Sequence, residues 1–331
     1  MPLIPKVGRR KLKIRFLLIS ITGILWIGVA IHLFPVWWMF ITSIKSSIEV
    51  YQFPPTLWPE RPTFVVYKMI YVLSAGTWGA IQEPIYVYFK NSLIMTGGIM
   101  IIQIPLAALI AYSISKLHSP QWSRLVFLYA IGLLMVPGTI RLIPQYLVMR
   151  HFPIPTLIVP KIPFTNTKIP TYNFLNTYWA VILPSTFSAF NVLLFKGFFD
   201  GIPDELINAA RLDGASEFGI FRRIILPISK PVFAVITYFS FTMAWNQFLW
   251  PLLVLKDNSL YPIAILLYNL QNALQSPGLV GHDPGTEELL QQGIGMNAVM
   301  GISIIQSIPV FIMFIVFREQ LMRGIKIRGL K

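Results

Sequence analysis

The chain has no cysteine and few charged residues, and both absences limit what it can be. Without thiols it can form neither disulfides nor thiolate metal sites. Its four histidines are scattered, with no two at ligand spacing, so we expect no metal site. Charged residues make up only 12% of the chain, against about 25% in soluble domains. With 55% hydrophobic residues and a mean hydropathy of +0.65, the composition predicts a membrane protein with several spans.

Six stretches are long and apolar enough to be membrane spans, each of which needs about 20 residues. They predict an all-α membrane protein with six transmembrane helices at 16–42, 91–115, 125–147, 176–199, 231–254 and 296–317. The third stretch contains Arg141 near its predicted outer end. Either this side chain reaches back to the membrane interface, the interpretation that we favour, or it faces a polar cavity.

The six spans predict that both termini lie in the cytosol. The intervening segments are then a basic N-terminus (1–15), an external loop (43–90), an external proline-rich insertion of unassigned function (148–175), a cytosolic loop (200–230), a second external loop (255–295) and a cytosolic tail (318–331). This topology places 18 of the 27 lysines and arginines inside and 9 outside, as the positive-inside rule requires. The distribution explains the net charge of +14 by contact with the lipid bilayer, and no nucleic-acid partner is needed.

Prolines fall inside the predicted spans, among them Pro105, Pro137, Pro184 and Pro309. A proline frees backbone groups and kinks a helix, which membranes tolerate where neighbouring helices or a cavity cover the break. The prolines therefore predict a kinked bundle, either as irregular packing or as the lining of a pathway.

The segment 202–231 (IPDELINAARLDGASEFGIFRRIILPISKP) predicts two short helices joined by a tight turn. Pro203 suits the start of the first helix, and Gly214 can adopt the positive φ that ends it. Ser216 is an N-cap candidate for the second helix, which we expect Leu226-Pro227 to stop. An amphipathic segment lying on the membrane surface would show a similar pattern.

The spacing of six residues in this segment distinguishes these interpretations. Ala209, Ala210, Gly214, Ile224, Leu226 and Pro227 stand at the intervals of Glu-Ala-Ala, three residues, Gly, nine residues, Ile, one residue, Leu-Pro. The segment thus resembles the EAA loop of ABC-importer permeases, with Asn208 in place of the family's Glu. The resemblance implies a permease domain at 91–317 and a loop that docks into a cleft on a cytosolic ATPase. The implied coupling residues are Glu205, Asn208, Ala209, Ala210, Asp213, Gly214, Ala215, Phe218, Phe221, Ile224, Leu226 and Pro227.

A proline-rich run in the first external loop, Phe53-Pro54-Pro55-Thr56-Leu57-Trp58-Pro59, resembles the same loop in carbohydrate-importer permeases of the maltose type. The chain resembles the smaller permease subunit of such an importer. The resemblance implies a second homologous permease, two ATPase subunits and an external solute-binding protein as partners. ATP and Mg²⁺ would belong to the ATPase, and we expect this chain to bind no cofactor and to catalyse no reaction. It lacks the phosphate loop G-x-x-x-x-G-K-[ST].

The fifth predicted span carries two amides, Asn246 and Gln247. An amide in hydrocarbon needs a partner, so these side chains either bond to a neighbouring helix or line a translocation pathway. Two alternatives to sugar import stay open. One is an ABC importer for another class of solute. The other is an ion-coupled transporter, which would be expected to carry charged groups inside its spans, where only Arg141 is found.

Overall fold

We describe residues 12–72, 83–152, 172–275, 293 and 295–326 of a computed structural model of the chain. Most of the predicted N-terminal segment, the centre of the proline-rich insertion (153–171), residues 276–292 and the end of the tail lie outside the described residues, as do 73–82. The described residues are helical apart from connecting loops and one isolated β-bridge between Phe152 and Tyr172. The prediction of an all-α protein is confirmed.

Fifteen α-helices lie in the described residues. They are α1 (Leu12–Ser43), α2 (Ser47–Val50), α3 (Val65–Val72), α4 (Ile85–Tyr112), α5 (Pro120–Met135), α6 (Gly138–Arg150), α7 (Tyr178–Ile182), α8 (Ala189–Phe199), α9 (Asp204–Leu212), α10 (Glu217–Ile220), α11 (Leu226–Ile228), α12 (Lys230–Trp245), α13 (Leu249–Val254), α14 (Ile263–Gln275) and α15 (Met296–Lys326). Single π-helical turns occupy Ser113–Leu117 and Phe221–Ile225, and 3₁₀ turns occupy Leu183–Ser185 and Asn258–Leu260.

In the part of the chain that the structure describes, four helical segments are long and apolar enough to cross a membrane. They are Ile14–Ser43, Ile85–Leu117, Tyr178–Phe199 and Met296–Met322. Two bent helix pairs raise the number to as many as six. Pro120–Met135 meets Gly138–Arg150 at 102°, and Glu217–Ile228 meets Lys230–Trp245 at 81°. By length and composition the chain is therefore a membrane protein with four to six spans.

Among the span prolines, Pro137 and Pro184 coincide with breaks in the helices. Pro137 follows Val136, whose ψ of 115° is extended, because the proline ring disfavours helical backbone in the preceding residue. Pro184 lies in the 3₁₀ turn between α7 and α8. Pro105 and Pro309 instead lie inside α4 and α15.

Several helix boundaries differ from those expected. Helix α4 begins at Ile85, inside the predicted first external loop, and α15 continues through the first part of the predicted tail to Lys326. Helix α14 occupies part of 255–295, where we expected a loop because of its many amides. Its Ile263, Leu266 and Leu270 are buried on one face. The spacing of these apolar residues is that of a helix, and it outweighed the polar composition from which we expected a loop.

The described parts of Met1–Val72 and Leu274–Ile305 form one compact unit. Within it, the proline-rich loop is held by buried charges. The Lys45 ammonium donates to the Thr56 carbonyl and lies 4.7 Å from the Trp38 ring centroid. Glu49 accepts hydrogen bonds from the Thr56 hydroxyl (2.7 Å) and the Glu60 amide (3.0 Å). These contacts fix a segment that lacks regular structure.

The described parts of Leu73–Ala273 and Gln306–Lys331 form the second unit. Its main core lies where α4, α8 and α12 pack together and where α9 and α10 meet them. Fully buried side chains of this core include Ala108, Phe195, Phe199, Ile207, Ile220, Ile225 and Ile236. The segment 202–231 is thus anchored to the spans through its own apolar residues.

Candidate coupling surface and translocation cavity

The predicted turn in the segment 202–231 is confirmed. Gly214 has a φ of +78°, and its amide donates to the Arg211 carbonyl at 3.0 Å. The next amide, that of Ala215, donates to the Ala210 carbonyl at 3.0 Å. The turn therefore satisfies carbonyls at the end of α9. Pro203 precedes the first helical residue, Asp204, by one position.

Ser216 begins the second helix as predicted. Its hydroxyl oxygen accepts a hydrogen bond from the Gly219 amide at 3.2 Å. The prediction that Leu226-Pro227 stops this helix is wrong, because the helix runs through them to Ile228. The preceding π-helical turn, Phe221–Ile225, explains the difference. Such a turn loosens the regular i→i−4 ladder, in which a proline would otherwise clash.

The structure divides the predicted coupling residues into exposed and inward-facing ones. Nine are exposed, namely Glu205, Asn208, Ala209, Asp213, Gly214, Ala215, Phe218, Leu226 and Pro227. Ala210 and Ile224 are half-buried and Phe221 is buried in the core. Further exposed apolar residues of the segment include Leu206 and Leu212. Leu212 is 89% exposed and Phe218 is 65% exposed, so the turn carries an uncovered apolar surface.

A charged network holds this turn against the end of α4. Glu217 accepts hydrogen bonds from Arg211 Nε (2.7 Å) and from the Tyr112 hydroxyl (2.8 Å). The bond to Glu217 is the main cause that raises the pKa of Arg211 above its usual value. Arg211 Nη1 also donates to the Asn208 side-chain oxygen at 3.2 Å. The carboxylate that this arginine contacts therefore comes from Glu217, and Asn208 supplies an uncharged acceptor.

A second set of contacts joins α9 to the π-helical turn after α4. Lys116 Nζ donates to the Asp204 carboxylate at 2.6 Å and to the Ile202 carbonyl at 2.7 Å. The side chain of Lys116 is 4% exposed, whereas that of Asp204 is 74% exposed. Arg211 of α9 and Tyr112 of α4 also bond to the same carboxylate, that of Glu217. Movement of α9 would therefore be transmitted to α4.

A cavity of about 530 Å³ opens in the second unit. Its polar lining consists of Gln103, Arg141, Gln145, Ser185, Ser188, Asn191, Ser240, Asn246 and Gln247. Aromatic lining comes from Phe187, Phe248 and Trp250. The cavity lies beside the broken helices α5–α6, α7–α8 and α12–α13, and its size is that of a small-molecule site.

Some of the polar lining residues bond to one another. The Asn191 amide donates to the Gln103 side-chain oxygen at 3.0 Å and to the Ser240 hydroxyl at 2.8 Å. Gln103 in turn donates to the Ser185 carbonyl at 2.6 Å. Because these donors have protein partners, they hold the cavity wall in shape.

The two amides predicted as pathway candidates both line the cavity. Asn246 fits both interpretations, since it lines the cavity and also bonds to a neighbouring helix. Its side-chain oxygen accepts a hydrogen bond from Gln306 Nε2 of α15 at 3.2 Å. Gln247 forms no side-chain hydrogen bond to any described residue. Arg141, for which we favoured the membrane interface, instead lines the cavity. The kink expected at Pro137 is a bend of 102° between α5 and α6, which places Arg141 beside the cavity and not at the end of a continuous span.

Three features are now established: apolar helices long enough to span a membrane, a polar cavity beside their breaks, and a charged helix–turn–helix joined to α4. Together they are typical of the membrane component of a transport system. No group of three or more metal-binding side chains occurs in the described part of the chain. The family profile "Binding-protein-dependent transport system inner membrane component" matches residues 61–282. The chain belongs to this family.

Two curated relatives illustrate the similarity. The sn-glycerol-3-phosphate transport system permease protein UgpE of Salmonella typhi is 30% identical over 301 residues, covering 90% of this chain and 92% of the relative. The arabinooligosaccharides transport system permease protein AraQ of Halalkalibacterium halodurans is 26% identical over 302 residues, covering 91% and 92%.

Solved structures share the fold. A chain of a bacterial ABC transporter involved in the import of the acidic polysaccharide alginate superposes with a TM-score of 0.70 at 22% identity, covering 96% of this chain and 99% of that one. A chain from a bacterial alginate ABC transporter in complex with a periplasmic protein bound to an alginate pentasaccharide gives a TM-score of 0.62 at 14% identity.

Proposed function

We propose that this chain is the membrane-spanning permease subunit of an ATP-driven importer of sugars or oligosaccharides. It would have six spans with both termini in the cytosol and would form half of the translocation pathway. Its partners would be a second homologous permease, two cytosolic ATPase subunits that hold ATP and Mg²⁺, and an external solute-binding protein. Relatives named for arabinooligosaccharide and alginate transport support the choice of sugar.

The observation that carries this proposal is the uncovered apolar surface at the turn between α9 and α10. Leu206, Leu212 and Phe218 are large apolar side chains exposed beside a charged network. A membrane-surface segment would place such side chains in lipid, but here the turn also exposes Asn208, Asp213 and the Gly214 backbone. This mixture of apolar and polar groups fits a protein cleft, as at other interfaces.

The mechanism follows from the contacts that tie the segment to the spans. Closure of an ATPase dimer on ATP would displace the docked turn, and α9 would move as a rigid body. The Lys116–Asp204 and Tyr112–Glu217 contacts would pass this movement to α4, which packs on α8 and α12. The breaks in the spans beside the cavity would then let it open to alternate sides. In this mechanism the residues of this chain transmit movement to the spans and bind the transported substrate.

Co-purification tests the proposal. The tagged chain would be isolated from its host in a gentle detergent, and its partners would be identified by mass spectrometry. We expect a second permease and a cytosolic ATPase to be recovered, with transport in vesicles that requires ATP. Recovery of the chain alone, still active in vesicles without ATP, would refute the proposal and favour an ion-coupled carrier.

A further inference from the structure

The cavity in the second unit carries a charge that the proposed function does not explain. We propose that its substrate is an anionic saccharide, and that Arg141 binds the carboxylate or phosphate group of that substrate. The proposal rests on the proposed function of this chain as a sugar permease, and it adds the chemical class of the sugar and the residue that recognises it.

The position of Arg141 follows from the break in the third span. Val136 is extended ahead of Pro137, and α6 then leaves α5 at 102°. Arg141 lies in the first turn of α6 and lines the cavity together with Gly138, Leu142 and Gln145. The first turn of α6 is thus part of the cavity wall.

The electrostatics of the cavity favour an anion. Arg141 is the one charged residue among those that line it, and no described acidic side chain lies on its wall. Within the described residues the guanidinium forms no ion pair or hydrogen bond, and the residue is exposed. A charged residue within a membrane-spanning segment is rare and usually marks a substrate or ion pathway. The planar guanidinium fork matches carboxylate and phosphate oxygens in particular.

The remaining lining suits a sugar ring. Gln145 and Gln247 line the cavity, and their side chains bond to no described residue, so their amides can pair with hydroxyl groups. Phe187 and Phe248 are 44% and 39% exposed, and both line the same space. Aromatic faces of this kind can pack against the apolar face of a sugar. The cavity lining therefore offers a cation, free amides and aromatic surface.

The test compares matched saccharides in the host strain that lacks this gene. The strain would be complemented with the wild-type chain, Arg141→Gln, Arg141→Lys or Arg150→Gln, with the amount of each chain in the membrane measured by immunoblot. Uptake would be followed for uronate oligosaccharides and their neutral methyl esters, and for sugar phosphates and the corresponding free sugars. Arg150 is exposed at the end of the same helix and does not line the cavity, so it is the matched control.

We expect the wild-type chain to import an anionic probe in preference to its neutral partner. Arg141→Gln should lower that uptake by about tenfold or more, the usual loss for a charge-assisted hydrogen bond. Arg141→Lys should retain part of it, because the charge stays and the fork is lost, and Arg150→Gln should match the wild type. Preference for uronates or for sugar phosphates would distinguish a carboxylate from a phosphate ligand.

Two results would contradict the inference in different ways. Import of neutral saccharides only, or full uptake of the anionic probe by Arg141→Gln, would refute the role of Arg141 and leave the sugar permease in place. An arginine that merely contacts lipid headgroups would give this outcome. Failure of the wild-type chain to import any saccharide of the panel in a strain that expresses its partners would overturn the proposed function and the inference together.

Discussion

Replacement of Gly214 by valine is expected to uncouple transport from ATP hydrolysis. The φ of +78° at this position is open to glycine but strained for a β-branched residue. A Cβ atom added here would meet nothing within 4 Å, so the cost is conformational and involves no steric clash with neighbours. Left-handed backbone costs non-glycine residues about 1–3 kcal/mol. A cost of ~2 kcal/mol would reduce the population of the native turn about 30-fold.

The assay is the ratio of substrate imported to ATP hydrolysed by the assembled transporter in proteoliposomes. Gly214→Val should lower this ratio strongly, and Gly214→Asn should lower it little, because asparagine tolerates positive φ. Gly197→Val is a matched control, since Gly197 lies in α8 with equally open space around its Cβ position and no positive φ. A wild-type ratio in Gly214→Val would refute the role assigned to the turn.

Three further substitutions test the same surface. Phe218→Ser should weaken binding of the ATPase in pull-down assays about 10- to 100-fold, because a buried phenylalanine contributes about 1.5–3 kcal/mol. Phe218→Leu should bind nearly normally. Equal binding by both variants would contradict docking through this side chain. Glu217→Gln should reduce coupling more than Tyr112→Phe, because it weakens the bond to Arg211 as well, and a larger effect of Tyr112→Phe would argue against this network. Ser216→Ala removes an N-cap worth about 1 kcal/mol, so limited proteolysis should cleave this segment sooner, and unchanged cleavage would show that the cap is dispensable.

The sequence alone determined the class of the protein and the local structure of its coupling surface. Long stretches without charge predict membrane helices wherever they occur, because an uncompensated charge in lipid is costly. The turn at Gly214 and the cap at Ser216 were also predictable from the sequence. Each depends on backbone preferences of a few neighbouring residues, which the sequence states directly.

Tertiary structure decided which residues of the segment are exposed and which face the core. Phe218 and Phe221 were both predicted as coupling residues and stand three positions apart, yet Phe218 is exposed and Phe221 packs against Tyr112. Helix α14 formed in a segment rich in amides because its apolar face is buried. Arg141 reached the cavity because a proline breaks its helix, and the size of that bend depends on the packing around it. Periodicity identifies an amphipathic helix, but only the packing of other helices determines what its faces contact.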